Sequence, residues 1–302
     1  MIGGGYGMTD TSESHWPVAI FAHNEGRFIL DSIRSVVEQD VSGQPLKVYV
    51  LANGCTDDTE AHVRQYARGR SDIELVSIKT GDKSNAWNVY VHEVAGDQSL
   101  HFFLDGDTRA SLGALRALAD GLDRQPMAHG AAAFPFAGRS RRSWSNFIRE
   151  NAGMPGCLYA LRGDFVSRVR RESVKFPVGF IGEDLLLQFL VKTDLDPVRN
   201  MMDRSRIVQC EQAGFEFDSM SIRDIRDYKL YWRRNIRNAE RELQPKMLMP
   251  LLGREGLRAM PGNVKELYRR CSDRLAWLRF GPRVVFSLLA ARKIERVRSA
   301  AP

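Results

Sequence analysis

Apolar and polar positions along the first half of the chain alternate between two periods. Val18 to Ala22 is a short apolar run, broken by His23-Asn24-Glu25-Gly26, after which Ile29, Ile33, Val36 and Val37 recur at helical spacing. Lys47 to Leu51 predicts a second strand, the polar stretch Asn53 to Thr59 a loop, and Thr59 to Ala67 a helix. Ile73 to Ile78 predicts a third strand, followed by Gly81-Asp82-Lys83-Ser84-Asn85 and a helix through Glu93. A fourth strand ends at Asp105. Strands separated by helices of this length indicate βαβ units and a mostly parallel sheet flanked by helices, an α/β fold.

Beyond Gly130 the rhythm changes. Gly130 to Gly138 is small and apolar, Arg139 to Ser143 is a basic loop, and Asn151 to Leu161 is glycine-rich and then strand-like. Phe176 to Gly182 leads into Glu183-Asp184 and an apolar helix from Leu185 to Val191. Val208 to Cys210 suggests another strand, and Ile225 to Leu243 a long amphipathic helix rich in arginine, with Tyr228, Trp232 and Ile236 as its packing face.

Each strand-to-helix junction of the first half carries the polar and charged residues, at the edge where open α/β sheets bind ligands. The fourth strand, His101 to Leu104, runs straight into Asp105-Gly106-Asp107. Two carboxylates held this close repel one another unless a cation intervenes or one takes a proton. A Mg²⁺-like ion, which takes one or two carboxylates plus phosphate oxygens, meets that need. An Asp-Gly turn closing a strand is the plain alternative for this motif taken alone. Likewise Glu183 and Asp184 taken alone read as ordinary acidic residues in a first helical turn.

The 302 residues suffice for one large α/β domain with an appendage. With 43% hydrophobic and 27% charged residues the composition is that of a soluble globular protein, and no apolar run approaches the ~20 residues that span a bilayer. Cys55, Cys157, Cys210 and Cys271 lack metal-ligand spacing, which fits reduced thiols and a cytoplasmic setting. The net charge of +7 is concentrated at the C-terminal end, where residues 244–302 hold thirteen Lys and Arg against four Asp and Glu. Such a tail suits an anionic surface or an acidic substrate, or is simply a solvated helical face; no nucleic-acid partner is implied.

Taken in order, five segments resemble those of the family 2 inverting glycosyltransferases of the GT-A fold: VAIFAHNE, VLANGCTDDT, GDKSNAWN, FLDGDT and FIGEDLLL. The resemblance runs from about Val18 to Arg234. It implies a Rossmann-like GT-A domain over residues 16–243; outside the resemblance, a disordered segment is expected over 1–15 and a basic amphipathic helical tail over 244–302. It also implies a nucleotide-sugar donor, UDP-sugar favoured, a hydroxyl acceptor such as a lipid-linked saccharide, and Mn²⁺ or Mg²⁺. Ala22, Asn24 and Glu25 would lie by the nucleoside, Asn53 and Asp57 would approach the base, and Lys83 the phosphates. Asp105 would face the ribose or donor sugar and share the metal with Asp107, its main ligand. Asp184 would be the catalytic base, kept ionised by the helix N-terminus, with Glu183 as an acceptor or structural partner. Arg233, in an aromatic-basic segment with Tyr231, Trp232 and Arg234, is a further donor-side candidate.

Two departures matter. Ala52 stands where members of the family usually carry the first Asp of the base-binding loop, which weakens the expectation of uracil. The full Gln-x-x-Arg-Trp signature of processive synthases is absent, so addition of a single sugar is expected, in a setting such as bacterial surface polysaccharide or glycolipid assembly. A nucleotidyltransferase would use the same metal site without Asp184, and a non-catalytic nucleotide-sugar-binding protein would need neither Asp107 nor Asp184. Val264, Leu267, Tyr268, Cys271, Leu275 and Leu278 form an apolar stripe in the tail. It could lie peripherally on an anionic membrane, join a second copy as a homodimer, or pack on the catalytic domain.

Overall fold

A computed structural model describes residues 15–41, 43–138, 141–217, 226–271 and 284–299, without the side chains of 226–231, 233, 234 and 284. The expected N-terminal segment 1–14, the Arg233 side chain and the Leu275 and Leu278 end of the tail stripe lie outside the described residues.

Four strands form the N-terminal half of the sheet: β1 (Trp16–Ala22), β2 (Leu46–Asn53), β3 (Ile73–Ile78) and β4 (Leu100–Asp105). All three of their pairings are parallel, with β1 between β2 and β4. Every residue of β1 and every residue of β4 before Asp105 is buried, as a strand covered on both faces requires. Helices α1 (Ile29–Val37), α2 (Thr59–Tyr66) and α3 (Lys83–Val89) make the crossovers, α3 running on as a π-turn over Tyr90–Val94.

The second half is mixed. The short β5 (Thr108–Ala110) leads to α4 (Ala114–Arg124), β6 (Gly130–Pro135), α5 (Arg141–Asn151), β7 (Leu158–Arg162), α6 (Gly163–Arg171), α7 (Glu183–Lys192) and β8 (Ile207–Phe217). The sheet order is β3-β2-β1-β4-β7-β6-β8-β5, with β7 antiparallel to both β4 and β6 and β5 antiparallel to β8. Because β6 runs in the same sense as β4, the C-terminal ends of β1, β2, β4 and β6 all meet one edge.

Two apolar layers cover the sheet. Residues of α1, α2 and α4, such as Ile33, Val63 and Leu118, pack on one face. Residues of α3, α6 and α7 cover the other, joined by α8 (Arg226–Glu255), α9 (Val264–Arg270) and α10 (Val284–Ser299). Leu243, Leu248, Leu267, Tyr268, Ala290 and Ile294 thus lie in one core with Phe103 and Leu187. The helix α8 continues through Leu243 and Gln244 and past Pro245 and Pro250. Leu267 and Tyr268 of the tail stripe are buried against the rest of the chain, and the Trp232 ring meets Phe286 of α10 edge-on at 4.9 Å. Among the described residues no helix is long and apolar enough to cross a membrane.

Candidate active site

The end of β4 brings Asp105 to the sheet edge, and Gly106 lets the chain turn there without separating β4 from β1. Its amide donates to the Phe21 carbonyl at 2.8 Å, and a Cβ at this position would lie 3.0 Å from Ala22 Cα and from the Phe21 carbonyl oxygen. Ser32 of α1 donates to the Gly106 carbonyl at 2.8 Å, tying the turn from the other side. Asp105 and Asp107 therefore flank a turn held by hydrogen bonds on both sides, at a position with no room for a side chain.

The loop after β2 is held to the loop after β1 by side chains. Asn53 donates to the Ala22 carbonyl at 2.8 Å, and the His23 ring lies 2.6 Å from the Asn53 carbonyl. Asn24, at a φ of 58°, accepts from the Thr56 amide at 2.7 Å. The Glu25 amide donates to Thr59, and Asp57 accepts from the Gly26 amide at 2.9 Å and from the Thr59 hydroxyl at 2.5 Å. Slight burial pushes the Asp57 carboxyl up, but the donors around it outweigh that and hold it below the usual range. Ala22, Asn24, Glu25, Asn53 and Asp57 are thus one braced double loop, in which the Asn53 and Asp57 side chains are committed to the loop itself.

Lys83 opens α3, whose N-terminus is capped by the Asp82 side chain accepting from the Asn85 amide at 3.1 Å. Asp82 also accepts from the Gly179 amide. Two further contacts bind α3 to the segment before α7: Ser84 donates to the Phe180 carbonyl at 2.8 Å, and the rings of Trp87 and Phe176 stack at 4.1 Å. This packing carries Glu183 and Asp184, at the start of α7, to the end of β4.

Lys83 closes the arrangement. Its ammonium pairs with Asp105 and, at 3.0 Å, with Glu183. Burial raises the Asp105 carboxyl to about 6, with Asp107 adding to the rise and Lys83 opposing it. Burial also acts to raise Glu183, but Lys83 wins there and holds it below its ordinary value. Burial would lower Lys83, yet the carboxylates around it keep its proton affinity well above that of a free lysine.

Asp184 corrects one expectation and reveals one omission. It is only 8% exposed, and burial, aided by the neighbouring Glu183 charge, lifts its proton affinity instead of leaving it depressed by the helix N-terminus. The Leu185 amide does donate to it at 3.0 Å, but a single amide does not offset the loss of water. The omission is Arg241 of α8, which pairs with Asp184 from 57 residues along the chain. Nothing local in the sequence singles out Arg241 among the many arginines of that helix.

A hard divalent cation fits the Asp105-Asp107 turn in one respect: burial and the neighbouring Asp107 charge raise the Asp105 carboxyl despite Lys83, so further positive charge is favoured beside it. Among the described residues no group of three or more His, Cys, Asp or Glu is placed to hold a metal, so an ion here would take its remaining ligands from phosphate and water.

The family model for glycosyl transferase family 2 matches residues 18–181. No curated protein matches the sequence. Among solved structures, the chain is similar to a mannosyltransferase from Pyrobaculum calidifontis, solved with GDP-Man and Mn²⁺, at 19% identity and a TM-score of 0.56, covering 95% of this chain and 76% of that one. It is similar to glucosyl-3-phosphoglycerate synthase from Mycobacterium tuberculosis, solved with Mn²⁺, UDP-glucose and phosphoglyceric acid, at 19% identity and a TM-score of 0.53, covering 76% and 79%. TarS residues 1–349 from S. aureus matches at 14% identity and a TM-score of 0.50, covering 93% and 90%. At these identities the likeness is one of fold. Together with the family match, which takes in the double loop, Lys83 and the Asp105-Asp107 turn, it makes the chain a member of glycosyl transferase family 2, a glycosyltransferase of the GT-A fold.

Proposed function

We propose that this glycosyltransferase is metal-dependent and inverting, and moves a single sugar from a nucleoside-diphosphate donor, UDP-sugar favoured, to a hydroxyl acceptor. The observation that carries the reading is the Lys83 bridge. It joins the Asp105 turn, suited to a diphosphate and its cation, to Glu183-Asp184, suited to activating a hydroxyl. Asp107 would be the main ligand of Mn²⁺ or Mg²⁺, with Asp105 shared between the ion and the sugar end of the donor. When bound, the ion would supply positive charge to the departing nucleoside diphosphate.

Inversion in one displacement needs a base on the face opposite the leaving group. Asp184 suits that task. Its raised proton affinity makes it a stronger base than a free aspartate, and an oxygen bound to one donor retains a lone pair for the acceptor proton. Glu183 would steady Lys83, and Lys83 would reach the phosphates once they compete for it. The braced double loop would receive the nucleoside, and Arg233 remains a donor-side candidate. Neighbours solved with GDP-Man and with UDP-glucose leave the donor base to experiment, and the loss of the usual loop carboxylate at Ala52 gives uracil no decisive contact. Bacterial surface polysaccharide or glycolipid assembly is the setting we favour.

The test is binding of UDP and GDP by calorimetry with and without Mn²⁺, in wild type, Asp107→Asn and Asp184→Asn. Metal-dependent affinity should vanish in D107N and persist in D184N. Mn²⁺-dependent affinity that is unchanged in D107N would sink the metal assignment.

A further inference from the structure

The proposed base is held by a part of the chain that lies beyond the family match. Arg241 Nη2 donates to Asp184 Oδ2, while Oδ1 accepts from the Leu185 amide, so both oxygens of the carboxylate have a fixed donor. The arginine reaches Asp184 across Gly182. A Cβ on Gly182 would lie 3.1 Å from Arg241 Cγ and 3.6 Å from Pro245, and its φ of 103° is one that a side chain disfavours. One turn further along α8, Gln244 accepts from the Ile181 amide at 2.6 Å and donates to the Tyr268 hydroxyl at 2.6 Å. A single turn of α8 therefore grips residues 181–184 at two points. The Arg241 side chain is 44% exposed while the Asp184 side chain is 9% exposed, so the buried carboxylate is paired with a partly exposed cation.

We infer that Arg241 is a positioning residue: it fixes the Asp184 carboxylate in one orientation and keeps it ionised against its burial. The inference rests on the reading of Asp184 as the base. Among the described residues, the charged groups that bear on Asp184 are Arg241 and Lys83, which favour its ionised form, and Glu183, which opposes it; the nearby Cys157 thiol is kept neutral by burial. Lys83 is already engaged by Asp105 and Glu183, which leaves Arg241, among the described residues, as the cation in contact. Removing its charge should raise the proton affinity of Asp184 and move the acid limb of turnover to higher pH.

The experiment needs no knowledge of the acceptor. Protein labelled with ¹³C at aspartate carboxyls is titrated by NMR, with Asp184→Asn identifying the resonance, in wild type, Arg241→Gln and Arg241→Lys. The Asp184 midpoint should rise by about one pH unit or more in R241Q, a tenfold change in proton affinity, and return most of the way in R241K. Release of UDP from UDP-glucose, or of GDP from GDP-mannose, with Mn²⁺ and water as acceptor should fall about 10²-fold in R241Q at neutral pH, with its acid limb displaced in parallel. Thermal unfolding of R241Q and R241K, each beside wild type, separates a folding defect from a shift in titration. An Asp184 midpoint that does not move in folded R241Q overturns the inference. Failure of the base assignment is read separately, as full nucleoside diphosphate release by D184N.

Discussion

Replacing Lys83 by methionine tests the bridge on which the functional reading depends. The side chains of Lys83, Asp105 and Glu183 are 25%, 26% and 18% exposed, so water screens them only in part. At an effective dielectric of about 20, two unit charges 3.0 Å apart, the Lys83–Glu183 separation, attract by roughly 5 kcal/mol. Relief of burying the ammonium returns much of this, and breaking a buried pair by removing one partner costs about 3–5 kcal/mol. With partial exposure we expect K83M to lose about 3 kcal/mol in urea unfolding at pH 8 without metal. Both orphaned groups are acids whose protonation relieves the penalty, so the deficit should shrink as pH falls from 8 to 5. Glu183→Gln in the K83M background should recover part of it. A K83M variant within about 0.5 kcal/mol of wild type, with no pH dependence of the difference, would refute the reasoning.

His101 offers a pH test remote from the site. It is fully buried in β4, faces the Tyr90 hydroxyl at 2.9 Å, and burial depresses its pKa to about 4. A histidine that stays neutral when folded but ionises when unfolded costs stability as pH falls below about 6.5, by roughly 2 kcal/mol at pH 5; His101→Phe with Tyr90→Phe should remove that part of the pH 7-to-5 slope. Gly106→Ala should cost about 1–3 kcal/mol in stability, because the contacts it meets are backbone, and should weaken Mn²⁺-dependent nucleotide binding as the turn spreads. Retained binding in G106A would show that the turn is looser than its contacts imply. Tyr268→Phe should lower the unfolding midpoint by a few degrees through the lost Gln244 donation; an unchanged midpoint would mean that Gln244 re-pairs.

Much of the donor half was legible in the sequence because its signals are local. The apolar run before Asp105-Gly106-Asp107 marks a buried strand that delivers carboxylates to an edge, and the neighbouring polar junctions, Gly81 to Asn85 among them, tell a site from a plain turn. The second half hides its logic in pairings between distant segments. No periodicity says that β7 (Leu158–Arg162) turns the sheet antiparallel beside β4, since buried strands read alike in either direction. The proton affinity of Asp184 was misjudged for a related reason. The helix N-terminus is visible in sequence, whereas the depth of burial that outweighs it is set by tertiary packing around the start of α7. Arg241 was invisible on the same ground, and only tertiary contact shows that Leu267 and Tyr268 of the tail stripe are buried against the rest of the chain.

The double grip of Gln244 has a consequence for building chimaeras. Its carboxamide joins the Ile181 amide, at the last residue of the family match, to the Tyr268 hydroxyl of α9. A graft that exchanged residues 18–181 for those of a relative would import the carboxylates of the turn while keeping a foreign clasp behind Asp184. Donor specificity would travel with such a graft, but turnover should survive only if Arg241, Gln244 and Tyr268 are carried across with it as one set.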